Sequence, residues 1–288
     1  MGHLIGRDYY QEHLLEVAKS IVLAIHKAPQ ITGKTVIEAE IIWGEDLIPI
    51  IEILEPLAPV VRYIQWDYET IKGCYEKGES PVIINIGAKV NRSNLAWNCG
   101  ACGFDTCAEF NAYSKDLGGG GQLGGPSCNW KILDYAIACD WACASAWQYK
   151  VDNRIMGSLG FALQALNYLP DSDVKLGLAL GPPRESVYFS RTEVRKVMSY
   201  ETDKMDMMKS IPTMFAGFPG SGNPMYKTKQ DWWAPPEFLN IGYSEDAMEV
   251  LQKVLYEQIP EVVVKHADAV AARYMTDEKA PSEEQSDQ

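Results

Sequence analysis

The chain has 288 residues, of which 47% are hydrophobic and 23% charged, with a formal net charge of −13 and a pI near 4.8. This is the composition of a globular protein with one large domain or two small ones. The acidic balance, with no lysine- or arginine-rich cluster, argues against binding to nucleic acid or to anionic lipid. We find no apolar signal region at the N-terminus and no long apolar run, so we expect no membrane span and a cytoplasmic protein.

The first part of the chain alternates helix and strand signals. Apolar residues at helical spacing from Leu14 to Ile25 predict a helix over residues 9–27. The β-branched stretch 35–43 predicts a strand, and the proline-interrupted apolar stretch after it predicts a short helix. Residues 80–90, SPVIINIGAKV, are continuously apolar, which predicts a central strand buried on both faces.

The second part begins with a glycine-rich stretch, 117–126, that predicts a flexible loop. Residues 130–149 predict a helix that is apolar nearly all round and therefore buried, and residues 152–168 predict a second helix. Residues 173–181 predict a further strand. One or two last helices follow Ser244, which is a good N-cap residue.

The most specific signal is the segment NCGACGFDTCAEF, which holds Cys99, Cys102 and Cys107 in C-x2-C-x4-C spacing. Cys128 follows in GGPSC. Disulfides are rare in a cytoplasmic chain, so these cysteines indicate metal or redox chemistry. Three clustered thiolates and one remote thiolate form a common ligand set of a [4Fe-4S] cluster, and the interspersed glycines let backbone N–H groups approach the sulfides. We therefore predict these four cysteines as cluster ligands.

Alternatives remain for the cysteines. A four-cysteine zinc site is the nearest one, although structural zinc usually shows paired C-x2-C knuckles and the second pair is missing. Cys139 and Cys143 lie one helical turn apart on a helix predicted to be buried, and we interpret them as small core residues. Either one is also an alternative to Cys128 as the fourth ligand. Cys74 is expected in a loop and has no predicted role.

The cysteine segment resembles the iron–sulfur motif of a family of uncharacterised prokaryotic ferredoxin-domain proteins. A related motif occurs in the corrinoid iron–sulfur subunit of acetyl-CoA-synthesising complexes. Further segments resemble the first family in the same order, over residues 5–191: EVAKSIVLAIHKAPQITGKTVIEAEII, GGPSCNWKILDYAIACDWACASA, VDNRIMGSLGFALQAL and VKLGLALGPPRESVYFSR.

That family is similar, in turn, to the nitroreductase-like flavoproteins, which are α+β homodimers that hold FMN at the subunit interface. The resemblance implies an α+β fold, with a nitroreductase-like antiparallel sheet flanked by helices in residues 1–191 and an iron–sulfur insertion at 97–130. Residues 192–275 are then a C-terminal extension packed on the core. The charged tail 276–288 is expected to be disordered.

The resemblance also implies an FMN site and a homodimer. Nitroreductases bind the flavin phosphate with an arginine-rich N-terminal motif, of which this chain has only Arg7 and Lys27 near the matching place. An Ala-Pro turn is present at residues 28–29. The residues at matching positions for flavin are Lys27, Thr32, Gly33, Lys34, Arg184 and Arg191.

Together these features predict an iron–sulfur oxidoreductase. With FMN, it would pass electrons between a [4Fe-4S] cluster and a small organic substrate, with a ferredoxin-type protein as its electron-transfer partner. The alternatives are a flavin-free [4Fe-4S] electron carrier or redox sensor, which the weak phosphate-binding signature favours, and a zinc-stabilised interaction protein. No acid–base pair stands out, so we predict no catalytic residue.

Overall fold

The computed structural model describes residues 2, 5–6, 9–116, 126–182, 186–197, 226–227, 238–239 and 245–275. Its α-helices are α1 (Tyr10–Lys27), α2 (Ile48–Leu54), α3 (Arg62–Glu76), α4 (Cys107–Asp116), α5 (Asn129–Gln148), α6 (Gly157–Ala165), α7 (Val187–Ser190), α8 (Val194–Val197), α9 (Glu245–Lys253) and α10 (Ile259–Met275). Its strands are β1 (Ile37–Ile42), β2 (Val82–Ala88), β3 (Asn153–Met156), β4 (Val174–Leu180), β5 (Tyr226–Lys227) and β6 (Phe238–Leu239). Short 3-10 turns flank α2 at Gly44–Leu47 and Glu55–Leu57, and a π-helical turn at Val254–Gln258 joins α9 to α10.

A four-stranded antiparallel sheet of order β1-β2-β4-β3 forms the centre of the fold. All seven residues of β2 are buried, because β1 and β4 pair with its two edges and helices cover both of its faces. The continuous apolar run at 80–90 therefore forms the buried central strand that it predicts. The strands predicted at 35–43 and 173–181 are confirmed as β1 and β4.

Two hydrophobic cores lie on opposite faces of this sheet. One packs α1 and α5 against Ile84, Ile86 and Leu178. The other packs helices including α2, α3 and α6 against Ile83 and Ala179. Successive side chains of a strand point to opposite faces, so β2 contributes to both cores. The predicted α+β class, with an antiparallel sheet flanked by helices, is confirmed.

Three local predictions are wrong. Residues 152–168 form β3 followed by α6 and not one helix, because pairing of β3 with β4 overrides local helix propensity. The helix predicted at 130–149 is confirmed as α5, but it is not buried all round: one face covers the sheet, and Leu133, Trp141 and Trp147 are exposed. Cys74 lies not in a loop but in the last turn of α3, where it is buried.

The C-terminal helix α10 packs on the core and confirms the helix predicted there. Lys265 forms an ion pair with Glu52 at 2.7 Å, and Val270 is buried in the same core as α2. None of the helices in the described part of the chain has the length and apolarity that a membrane crossing needs. The predictions for the loop 117–125, for Ser244 and for the tail 276–288 lie outside the described residues, as does most of 198–244.

Helix α5 is fixed to the turn between α1 and β1 by the fully buried Asp134. Its carboxylate accepts hydrogen bonds from the backbone N–H of Ile31 (2.5 Å) and of Thr32, and from the hydroxyls of Thr32 (2.5 Å) and Thr35 (2.6 Å). A buried carboxylate is costly unless its oxygens are satisfied, and here both oxygens accept hydrogen bonds. Asp134 thus sets the position of α5 against the sheet.

We predict that Asp134→Ala lowers the free energy of unfolding by about 3 kcal/mol, because it leaves buried N–H and O–H donors without an acceptor. Urea denaturation followed by circular dichroism measures this change. The matched control is Asp140→Ala on the exposed side of the same helix, which should change the free energy by less than about 0.5 kcal/mol. Equal losses in the two variants would contradict the anchoring role.

Candidate metal centre

Four cysteines line one cavity beyond the end of β2. Cys99, Cys102 and Cys107 come from the loop before α4 and from its first residue, and Cys128 is the residue before α5. The remaining wall includes apolar and aromatic side chains: Leu95, Trp97, Phe104 and Trp130. The structure therefore brings together the four thiols that the sequence singled out.

The loop that carries the first three cysteines is curled by left-handed backbone conformations. Ala96, Asn98, Gly100 and Gly103 all have positive φ, between 48° and 86°. Glycine adopts this region without a steric penalty. A Cβ built at Gly100 or Gly103 would meet no protein atom within 4 Å. Glycine is therefore favoured at these positions by the positive φ and not by a steric clash with the rest of the chain.

Helix α4 begins at Cys107 because a capping box stabilises its first turn. The hydroxyl of Thr106 accepts a hydrogen bond from the N–H of Glu109 at 3.1 Å, and the carboxylate of Glu109 accepts one from the N–H of Thr106 at 3.2 Å. The signal T-x-x-E is visible in the sequence as TCAE, so the start of this helix was open to prediction.

Polar groups surround the sulfur of Cys107. The Ser93 hydroxyl donates to Cys107 Sγ at 3.4 Å, and Asn111 holds Ser93 through hydrogen bonds to its backbone N–H (2.7 Å) and C=O (2.8 Å). The hydrogen bonds from Ser93 and from the backbone at Asn98 lower the pKa of Cys107. This site therefore favours a thiolate, which is the form that binds iron or zinc.

Cys128 is positioned by the central sheet. Its N–H donates to the carbonyl of Val90 at 2.8 Å, two residues beyond β2. One carboxylate oxygen of Asp173 accepts the N–H groups of Val90 (2.7 Å) and Asn91 (3.0 Å), which fixes the chain where it leaves the sheet. Cys128 is buried and packs in one cluster with Leu95. The fourth thiol is therefore held by the rigid core and not by the surface loop.

Two tryptophans cover the outer side of the cavity. The indole N–H of Trp130 donates to Cys99 Sγ at 3.1 Å, and its ring meets that of Trp97 edge to face, with centroids 5.9 Å apart. Ser93, Asn111 and Trp130 were not predicted from the sequence. They lie near the thiols only after folding, and no spacing rule points to them.

The remaining cysteines lie elsewhere. Cys139 and Cys143 do not line the cavity, and Cys139 follows Cys128 by 11 residues, or about 16 Å along a helix. Burial raises the pKa of Cys139 to about 12 and that of Cys143 to about 11. Cys139 belongs to the hydrophobic core between α5 and the sheet, as interpreted from the sequence. The structure thus groups Cys128, and neither of these two, with the three loop cysteines.

The donor set fits an iron–sulfur cluster. Among the described residues, no group of three or more His, Cys, Asp or Glu side chains is arranged to hold a metal ion. The chemistry of the donors suits a cluster, because four cysteine thiolates are the usual ligand set of [4Fe-4S]. The hydrogen bonds to the sulfurs of Cys99 and Cys107 are of the kind that tune such clusters.

Two of the residues predicted for flavin are engaged in contacts within the protein. The Thr32 hydroxyl is bound to Asp134. The guanidinium of Arg191 forms an ion pair with Asp67 at 2.8 Å and a hydrogen bond to Thr70 at 3.0 Å, and its side chain is only 14% exposed. Both side chains therefore have partners within the protein.

Three of the other residues predicted for flavin are exposed. Lys27 is exposed at the end of α1, Gly33 is exposed with a φ of 62°, and Lys34 lines a groove that is separate from the cysteine cavity. Arg184 lies outside the described residues. The flavin site stays a prediction.

The fold and the cavity define an α+β protein with a four-cysteine centre at one end of its sheet. Residues 124–191 match the family model described as "Uncharacterized protein containing a ferredoxin domain" (DUF2148). An uncharacterized protein of Archaeoglobus fulgidus is 30% identical over 185 residues, which are 64% of this chain and 95% of that protein. The chain therefore belongs to this family of uncharacterized ferredoxin-domain proteins, and the resemblance to it is confirmed.

A ferredoxin domain indicates an iron–sulfur electron carrier. The matched segment contains Cys128 and begins after the other three cysteines. No solved structure matches the chain, so the nitroreductase-like core stays a prediction.

We predict that Ser93→Ala raises the pKa of Cys107, because the mutation removes the largest of the hydrogen bonds that lower it. At pH 8 the thiolate fraction then falls, and iodoacetamide should alkylate Cys107 of the metal-free protein several times more slowly. Peptide mass spectrometry across a pH series measures this rate. Cys99 in the same sample is the internal control, since Ser93 does not contact it. An unchanged pH profile for Cys107 would contradict the assignment.

Proposed function

We propose that the protein is an electron carrier that holds a [4Fe-4S] cluster on Cys99, Cys102, Cys107 and Cys128. The supporting observation is that these four thiols line one cavity, three from a curled loop and one from the start of α5. Four cysteines are the usual ligand set of this cluster. The ferredoxin domain of the family supports the same function.

The surrounding residues would tune the centre. When bound, a cluster of this kind takes up and releases single electrons. The Ser93 hydroxyl and the Trp130 indole each donate a hydrogen bond to a ligand sulfur, which stabilises negative charge and so favours the reduced form. The net charge of −13 disfavours the reduced form, which carries one more negative charge. The potential would follow from the balance of these two effects.

The exposed side of the cavity is where a partner would approach. Residues 99–101, which include Cys99, are exposed, and the nearby Trp97 is 47% exposed. The Cys128 side is buried against the core. We propose that a ferredoxin-type protein docks on the loop side. The homodimer implied by the resemblance stays a prediction.

A flavin-dependent oxidoreductase is the second candidate function. The observation that favours it is the position of Lys34 in a second cavity, lined also by Lys89, Arg92 and Lys131, beside the cysteine cavity. FMN bound there would allow an organic substrate to receive electrons in pairs, because a flavin exchanges both one and two electrons. Flavin bands in the absorption spectrum of the isolated protein would support this candidate over the flavin-free carrier.

The ligand assignment predicts the iron content of cysteine variants. After anaerobic purification, the wild-type protein should absorb broadly near ~400 nm, bleach on reduction with dithionite and contain about four irons per chain. Cys→Ser at position 99, 102, 107 or 128 should remove most of the iron. Cys139→Ser is the matched control, since Cys139 lies on α5, which follows Cys128, but away from the cavity, and this variant should keep the full iron content.

Two results would contradict the proposal. Full iron retention in Cys128→Ser would show that this residue is not a ligand. A colourless protein with tightly bound zinc, released on mutation of the same four cysteines, would replace the electron carrier with a zinc-stabilised protein.

A further inference from the structure

A second cavity of about 460 Å³, open to solvent, lies beside the metal centre and is mainly basic. Its charged wall consists of Lys34, Lys89, Arg92, Lys131, Asp171 and Asp173. Four cations thus face two carboxylates in a protein whose net charge is −13. We call this cavity the basic groove. Its local excess of positive charge is opposite in sign to the net charge of the chain and favours an anionic ligand.

The basic groove shares two chain segments with the cysteine cavity. Asn91 and Asn94 line the groove, while Ser93 and Leu95 in the same segment line the cysteine cavity. On α5, Lys131 lies three residues after Cys128, which is less than one helical turn. The two cavities are therefore adjacent.

The two carboxylates of the groove are already engaged. One oxygen of Asp173 accepts the backbone N–H groups of Val90 and Asn91. Asp171 is 77% exposed and lies 3.8 Å from Lys89. Lys34, Arg92 and Lys131 have no ion pair with either carboxylate.

Lys131 is the most buried cation of the basic groove. Its side chain lines the groove, yet the residue is only 4% exposed. Within the part of the chain that the structure describes, no group accepts a hydrogen bond from its ammonium and no carboxylate forms an ion pair with it. Burial lowers the pKa of Lys131; the charges of Cys128, Asp173 and Asp134 act to raise it, and the like-charged Arg92 acts to lower it.

The location of Lys131 at the start of α5 is also unfavourable for its positive charge. It lies in the first turn of a 20-residue helix, where the helix dipole disfavours a cation and favours an anion. The stem of the side chain is buried, and its ammonium faces the open groove without a carboxylate partner among the described residues. An anion in the groove would pair with Lys131 and lie near the N-terminus of α5.

We propose that the basic groove binds the phosphate group of a small anionic ligand, with Lys131 as its central contact and Lys34 and Arg92 at its rim. A doubly charged phosphate matches several cations better than a single carboxylate does, and the amides of Asn91 and Asn94 supply further donors. The site does not depend on the cluster. It places the ligand next to the centre that the proposed function requires.

Calorimetric titration of the full chain with inorganic phosphate, at constant ionic strength, tests this site. The wild type should bind phosphate, and Lys131→Met should weaken binding at least ~10-fold, as expected for loss of a buried charge-assisted contact. Lys19→Met is the matched control, because Lys19 is exposed and paired with Glu16 outside the groove. Its affinity for phosphate should equal that of the wild type.

Two further measurements keep this test decisive. Lys131→Met should have a Tm without phosphate close to that of the wild type, since the mutation removes no ion pair or hydrogen bond between described residues and keeps a chain of similar length. Should this variant not fold, Arg92→Gln on the exposed rim should still weaken phosphate binding. Unchanged iron content in both variants would separate the groove from the metal centre. Absence of phosphate binding in the wild type, or equal binding in all variants, would overturn the proposal.

Competition identifies the source of the phosphate. Displacement of phosphate by FMN but not by riboflavin would assign the groove to a flavin phosphate. Displacement by a sugar phosphate such as glucose 6-phosphate, with no effect of FMN, would assign it to a phosphate ester without flavin. Both results support a phosphate site.

Discussion

The four-cysteine site depends on one backbone hydrogen bond, from the N–H of Cys128 to the carbonyl of Val90. This bond joins the start of α5 to the end of the fully buried strand β2. The carboxylate of Asp173 accepts the backbone N–H of Val90 just beyond the same strand. About two turns along α5, Asp134 binds this helix to the turn before β1. The fourth thiol is therefore placed by the core. The other three belong to a surface loop whose curl comes from positive φ angles, so the core provides the fixed side of the site and the loop provides its cover.

The sequence predicted those features that depend on local pattern. The spacing of Cys99, Cys102 and Cys107 and the apolar run of β2 both survive in the structure, because ligand spacing and burial on two faces leave a direct trace in the chain. Prediction from the sequence failed where pairing between distant segments determines the secondary structure. The residues of β3 have the pattern of a helix start, but in the fold they pair with β4. Ser93, Trp130 and Lys131 escaped prediction for the same reason, since only the fold places them beside the thiols or the groove.

Charge links the two cavities. Four thiolates around the proposed cluster would concentrate negative charge at one end of the sheet. Lys131, three residues after Cys128, places a positive charge nearby, and the first turn of α5 adds the positive end of the helix dipole. The same charges attract an anion into the basic groove.

Mössbauer spectroscopy of anaerobically purified protein enriched in ⁵⁷Fe tests the central claim most directly, because it reports the type and the number of iron centres together. Our account predicts the spectrum of a single [4Fe-4S] cluster that accounts for all of the protein-bound iron, at about four irons per chain. A spectrum of isolated iron ions on thiolate ligands, or no bound iron at all in a protein that holds zinc on the same cysteines, would contradict it.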